Sequence, residues 1–175
     1  MLGQKPWSAG ERADRFAEFV ELLDVLLRQP ETTFDGRWYS AVEARTYPGC
    51  VQQPRIPFAV AAAGPRSMRL AAAYAEAWVT TGDRTGSGDL AAVADQVKRL
   101  EDACESAGRD PSTIDRLVLT GPELDPGLES EESFADTVGR YADLGITDFV
   151  VHWPRTGEPY AGDVATFERV VSSLR

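Results

Sequence analysis

The chain has 175 residues, 43% of them hydrophobic and 26% charged, a makeup that places it among globular proteins and excludes disordered and fibrous classes. Its formal net charge of -10 adds like-charge repulsion to any contact with a nucleic-acid backbone or an anionic membrane, so a small-molecule partner is expected and neither of those two. Cys50 and Cys104 form no CxxC pair and only one histidine is present, which argues against a metal site or a disulfide framework and for two reduced cysteines in a cytoplasmic protein.

The amino terminus, MLGQKPWSAGER, lacks the basic segment and apolar run of a signal peptide, and no stretch approaches the roughly 18 apolar residues of a membrane span. Ser8 followed by Glu11 makes a capping box, and Phe16, Phe19, Val20, Leu23, Leu26 and Leu27 recur at helical spacing. The pattern predicts an amphipathic helix that ends near Gln29-Pro30. Residues 31–55 read as a long irregular excursion. Within it, Phe34-Asp35-Gly36-Arg37-Trp38-Tyr39 is a turn flanked by aromatics that suits a small hairpin, and Pro48, Pro54 and Pro57 keep the approach to the next element extended.

From Ile56 onward strand and helix alternate. Strands are expected near residues 57–62, 77–81, 115–120 and 146–152, each short and apolar on both faces, and a helix follows each. One helix carries Leu90, Val93, Ala94, Val97, Leu100 and Cys104 on a stripe and stops at Gly108. Another carries Phe134, Val138, Tyr141 and Ala142 and stops at Gly145, and the last carries Val164, Phe167, Val170, Val171 and Leu174. Such alternation means βαβ units, a parallel sheet and right-handed crossovers, so the class is α/β. The polar stretch 83–89, DRTGSGD, reads as a loop, and Ser87 within it lacks the spacing of a nucleophile elbow. Glu129, Glu131 and Glu132 precede a helix and read as a solvated face that complements its dipole.

The turn AAAGP at 61–65 leads from a strand into a helix. Ala62, Ala63 and Gly64 permit close approach of a ligand, Pro65 suits the first helical position, and Arg66 adds positive charge, a combination that suits a phosphate at a helix N-terminus. Small residues there equally allow tight packing of helix on sheet. With a single glycine the turn is no GxGxxG fingerprint, so a doubly wound dinucleotide fold is the weaker reading. Thr80, Thr81 and Gly82 end the next strand on the same rim, where a threonine can contact a cofactor tail or cap the strand. His152 ends the last strand beside Trp153 and is a weak catalytic candidate, able to orient a substrate or equally to serve the packing, and Arg155 and Tyr160 follow in the loop.

The segments FAEFVELLDVLL, FDGRWYSA, PGCVQQPRIPFAVAAAGPRSMRLAAAYAEAWVTTG and VVHWPR together resemble the luciferase-like monooxygenase family, nearest to its members that use the deazaflavin coenzyme F420. The resemblance covers nearly the whole chain. It implies a TIM-barrel (β/α)8 type of fold of which this chain carries the second half: a leading helix over 1–30, an insertion over 31–55, and four strand-helix units over 56–175, together one partial barrel domain. A closed barrel needs eight strands and typically about 250 residues, so two open sheet edges and an apolar inner face are expected. Either the chain is a half-barrel that pairs with another copy, or the start at Met1-Leu2-Gly3 is internal to a longer protein. The resemblance further implies an oxidoreductase holding coenzyme F420 or FMN, with Ala62, Ala63, Gly64, Pro65 and Arg66 on the phosphate end, and a small-molecule substrate; Thr80 and Thr81 stand as cofactor-binding candidates at the tail. A non-catalytic dimeric half-barrel that at most binds a phosphorylated ligand is the alternative.

Overall fold

The computed structural model describes residues 6–82, 90–121 and 124–173. Ser87 with the polar stretch 83–89, Leu174, and Met1 to Gly3 lie outside the described residues. The chain divides into two compact units, Met1–Phe58 and Ala59–Arg175.

In the first unit, α1 (Ala9–Arg28) starts at the expected capping box: Ser8 Oγ accepts the Glu11 N–H at 3.2 Å and Glu11 Oε2 accepts the Ser8 N–H at 2.9 Å. The region expected to be mostly irregular forms a true antiparallel hairpin of β1 (Glu31–Asp35) and β2 (Ser40–Arg45), with Glu31 opposite Arg45 and Asp35 opposite Ser40. The tip is held from outside the hairpin. The Glu18 carboxylate on α1 accepts the N–H groups of Arg37, Trp38 and Tyr39 at 3.0, 2.6 and 2.8 Å. Gly36 is required here, because a Cβ would collide with that carboxylate. Trp7, Trp38 and Tyr39 gather around the Arg15 guanidinium, which lies 4.5 Å from the Trp7 ring centre.

A second tie in this unit is charged. Arg55 is 3% exposed and sets its guanidinium 3.6 Å from the Phe58 ring centre, while its Nε donates to Asp24 Oδ1 at 2.6 Å. Arg28 Nε donates to the same oxygen at 2.8 Å.

The second unit is a four-stranded parallel sheet, ordered β3 (Ala59–Ala61), β4 (Ala77–Thr80), β5 (Asp115–Leu119), β6 (Asp148–Val150). The strands sit where the sequence places them but are shorter. Pro57 has no N–H to lend to a ladder, and Ala62 already opens the turn. They alternate with α2 (Pro65–Tyr74), α3 (Leu90–Ser106), α4 (Glu131–Asp143) and α5 (Val164–Ser173). Gly108 and Gly145, at φ of 69° and 82°, follow the ends of α3 and α4 as the sequence implies.

Parallel register puts Val60, Trp78, Thr80, Val118 and Phe149 on one face, and the first four are buried. The helices pack on this face. Gln96 of α3 meets Thr80, Glu101 of α3 pairs with Arg116 at 2.9 Å, and Phe134 and Tyr141 of α4 pack edge-on and tilted against Phe149 with centroids 5.8 and 5.4 Å away. The opposite face carries Ala59, Ala61, Val79, Leu117, Leu119 and Val150, all half-buried or exposed. A one-sided parallel sheet is the geometry of a barrel wall rather than of a doubly wound fold, whose sheet is covered on both faces. Cys104 is buried, Cys50 is half-buried and both are free thiols.

Asp24→Asn keeps the side-chain shape but removes the Asp24 charge from the buried Arg55 guanidinium, so the variant is expected to lose about 3 kcal/mol in a urea titration. Burial pushes the Asp24 carboxyl up, but the hydrogen bonds and charges of Arg55 and Arg28 outweigh it and hold the group below the usual range. Its contribution is therefore present above the unfolded value of about 4 and lost as pH falls through the lower folded value. The wild type should show this acid loss and Asp24→Asn should not.

Candidate functional site

All four strands of the second unit point the same way, so the turns after them share one rim. At the first, the Ala62 carbonyl accepts the Trp78 indole N–H at 2.8 Å and the Ala62 N–H donates to the Val79 carbonyl at 3.4 Å, which fixes where the turn leaves the sheet. Ala63, Gly64, Pro65 and Arg66 are exposed. Gly64 is the N-cap of α2 and brings no capping side chain; Pro65 follows at the first helical position, and the first turn holds no acid. The N-cap itself therefore supplies no side-chain acceptor to that turn, which has the positive end of the helix dipole behind it. A Cβ built on Gly64 meets nothing within 4 Å, so the approach is open.

Thr80 and Thr81 part company. Thr80 is 4% exposed and faces the helices; its hydroxyl donates to Gln96 Oε1 and accepts the Gly82 N–H at 3.0 Å, while Gln96 Nε2 donates to the Gly82 carbonyl at 3.1 Å. Thr80 and Gln96 therefore fix the second turn from below. Thr81 is exposed on the rim. Gln96 carries no sequence signal, since a glutamine within a helix reads as ordinary surface.

Beyond the ends of β5 and β6 lies a cavity of about 490 Å³, within the range of small-molecule sites. It is lined by Thr120 and Gly121 from one turn, Asp125 and Glu129 from the segment after it, and His152 and Tyr160 from the last loop, among others. That loop folds back on itself: the Arg155 N–H donates to the Tyr160 carbonyl at 2.8 Å and the Gly162 N–H to the Arg155 carbonyl at 3.2 Å. The turn-back lays Tyr160 on His152 with ring centres 4.2 Å apart. The pair lies against the Gly121 turn: a Cβ there would stand 3.6 Å from Tyr160 and 3.7 Å from His152 Nε2, ordinary contact distances. Thr120 Oγ1 donates to the Val150 carbonyl at 2.9 Å and ties the two strand ends together.

Glu129, read from the sequence as part of a solvated face, is exposed but also lines this cavity, where its Oε2 accepts the Ser133 hydroxyl at 2.9 Å. Glu131 pairs with Arg169 at 3.6 Å instead. Asp163 also lines the cavity and caps α5, accepting the N–H groups of Ala165 and Thr166 at 3.2 and 3.0 Å and the Thr166 hydroxyl at 2.7 Å. The hydroxyl bond first, then the two main-chain bonds, hold its carboxyl below the usual range. Arg155 lies outside the lining with its guanidinium 5.6 Å from the Tyr160 ring centre. No helix among the described residues is long and apolar enough to cross a membrane.

The sequence model of the family described as luciferase-like monooxygenase matches residues 1–138. An F420-dependent glucose-6-phosphate dehydrogenase of Microbacterium testaceum is 29% identical over 138 residues, 77% of this chain and 40% of that protein. An F420-dependent hydroxymycolic acid dehydrogenase of Mycobacterium tuberculosis is 30% identical over 104 residues, covering 59% of this chain and 27% of that one. The chain thus spans about two fifths or less of the length of these curated relatives. Among solved structures, an F420-dependent secondary alcohol dehydrogenase in complex with an F420-acetone adduct gives a TM-score of 0.71 at 18% identity, covering 100% of this chain and 65% of the other. A long-chain alkane monooxygenase gives 0.52 at 17% identity, covering 82% and 39%. At these identities the likeness is one of fold, and the fold is α/β of the TIM-barrel type.

Tyr160→Ala removes the ring that lies on His152. It is expected to cost about 1 kcal/mol of stability and to move the imidazole proton resonances of the chain's single histidine, which a one-dimensional proton spectrum resolves. Unmoved resonances would mean that the two rings do not stack in solution.

Proposed function

This chain belongs to the luciferase-like monooxygenase family, and we propose that its carboxyl-end rim binds the phosphate end of a flavin-type cofactor, coenzyme F420 or FMN, in the service of an oxidoreductase reaction on a small molecule. The observation that carries the reading is the uncapped start of α2 at Gly64. The site fits the group on three counts. Gly64 as N-cap brings no side-chain acceptor of its own to the first turn, the approach is open among the described residues where a Cβ would stand, and the first turn itself carries no carboxylate. The names of the relatives favour the deazaflavin over FMN.

When bound, the cofactor supplies hydride chemistry, and the protein supplies binding and orientation. The main chain at Ala63 and Gly64 would approach the phosphate, while Ala62, buried with its N–H and carbonyl bonded to Val79 and Trp78, fixes where the turn begins; Pro65 pre-sets the helix start, and Arg66 would add charge. Thr81 extends the same rim to the cofactor tail, while Thr80 acts through the turn it shapes. His152, held by Tyr160, borders the cavity in which a substrate would meet the reacting ring. A cytoplasmic location agrees with the two free thiols.

A second reading has its own observation. The uncovered sheet face of Val79, Leu117, Leu119 and Val150 and the two open strand edges favour self-association, and a dimeric half-barrel without catalysis would need no more than that. Light scattering over a wide concentration range should show a dimer, and a monomer throughout would remove this reading.

Gly64→Asp tests the cofactor site cleanly. The new side chain has room and takes an N-cap position that aspartate favours, so helix and fold should hold or gain about 0.5 kcal/mol. Its carboxylate would occupy the same N–H groups and repel phosphate, so binding followed by F420 or FMN fluorescence should be lost. Equal binding by wild type and variant, or no binding of either cofactor by the wild type, would overturn the assignment.

A further inference from the structure

The cavity beyond β5 and β6 has a charge character of its own. Asp125, Glu129 and Asp163 contribute three carboxylates to its lining, and among the described residues no lysine or arginine lines it. Arg169, which reaches Thr166 at the cavity's edge, donates to that hydroxyl at 2.8 Å and pairs with Glu131. Arg155 stays on the outer side of Tyr160. The natural receptor for an anion on this lining is the N-terminus of α5, and the chain's own Asp163 already fills it by accepting the Ala165 and Thr166 N–H groups. A phosphate or carboxylate entering the cavity would find its N–H donors taken and three like charges around it. A cation meets the reverse. Asp125 spends Oδ1 on the Gly127 N–H and Glu129 spends Oε2 on Ser133, so Asp125 Oδ2 and Glu129 Oε1 remain to accept from a ligand. The stacked rings of His152 and Tyr160 supply the apolar wall that the body of a small molecule needs.

We propose that this cavity is the substrate site and that it takes a small amine, bound as its ammonium ion, in preference to phosphate esters. The proposal rests on the carboxyl-end rim being the place of reaction.

The test uses one sugar ring in three charge states: glucosamine, glucose and glucose 6-phosphate, each titrated into the full chain with its single histidine labelled in the imidazole ring. Every movement of the imidazole signals then reports on His152. Glucosamine should move them with about tenfold greater affinity than glucose, and glucose 6-phosphate should leave them in place. The double variant Asp125→Asn, Glu129→Gln should lose about tenfold in glucosamine affinity. Tighter or equal binding of glucose 6-phosphate, no movement with any of the three, or undiminished glucosamine binding by the double variant would each overturn the proposal. Cofactor fluorescence followed in the same samples separates the two assignments. Lost cofactor binding with the amine preference intact supports this proposal and removes the cofactor site alone; cofactor binding without an amine preference removes this proposal alone.

Discussion

Parallel pairing is the constraint on which the second unit depends. A strand that must run the same way as its neighbour requires the chain to be carried back to the starting edge, and only a crossover of a dozen or more residues does that. The return passes are α2, α3 and α4, all laid on one face, so every outgoing turn falls on the same rim. The rim is then a consequence of direction alone. Which chemistry it carries is decided by a few side chains in the turns: small residues at 62–64, a clamp at 80 and 96, and carboxylates and rings around the last two strands.

The two ends of the rim solve opposite problems at a helix start. At α2 the cap position is a glycine, which has no side chain to offer the main-chain donors. At α5 the corresponding donors are claimed by Asp163 from within the chain. The same backbone feature thereby lacks a capping side chain in one place and has one in the other, and the proposed division between a phosphate site and an amine site rests on that difference. Neither arrangement needs the sheet to differ.

How much of this could be read from the sequence follows from how local each interaction is. The capping box at Ser8 and Glu11, the stops at Gly108 and Gly145 and the Gly64-Pro65 helix start are written within four residues of where they act, and each appears in the structure as read. The parallel pairing of the four strands followed from alternation. The hairpin at 31–45 was only half legible, because the carboxylate that holds its tip is 19 to 21 residues away on another element. Gln96 was illegible for the same reason: its bonds to Thr80 and Gly82 span 16 and 14 residues. The cavity joins segments around 120–129 and 152–166 that share no motif, and Asp163 reads in sequence as a plain cap.

The hairpin tip shows where this architecture leaves freedom for change. Glu18 grips the main chain of residues 37 to 39 and not their side chains, and Gly36 keeps the space for that grip. The path of the backbone is specified from α1, so the exposed side chain at 37 can vary in descendants of this sequence while the loop keeps its shape, whereas Trp38 and Tyr39 are committed to the cluster around Arg15. Such a tip works as a display platform: its form is inherited from one distant carboxylate, and its surface is open to selection for whatever it comes to touch.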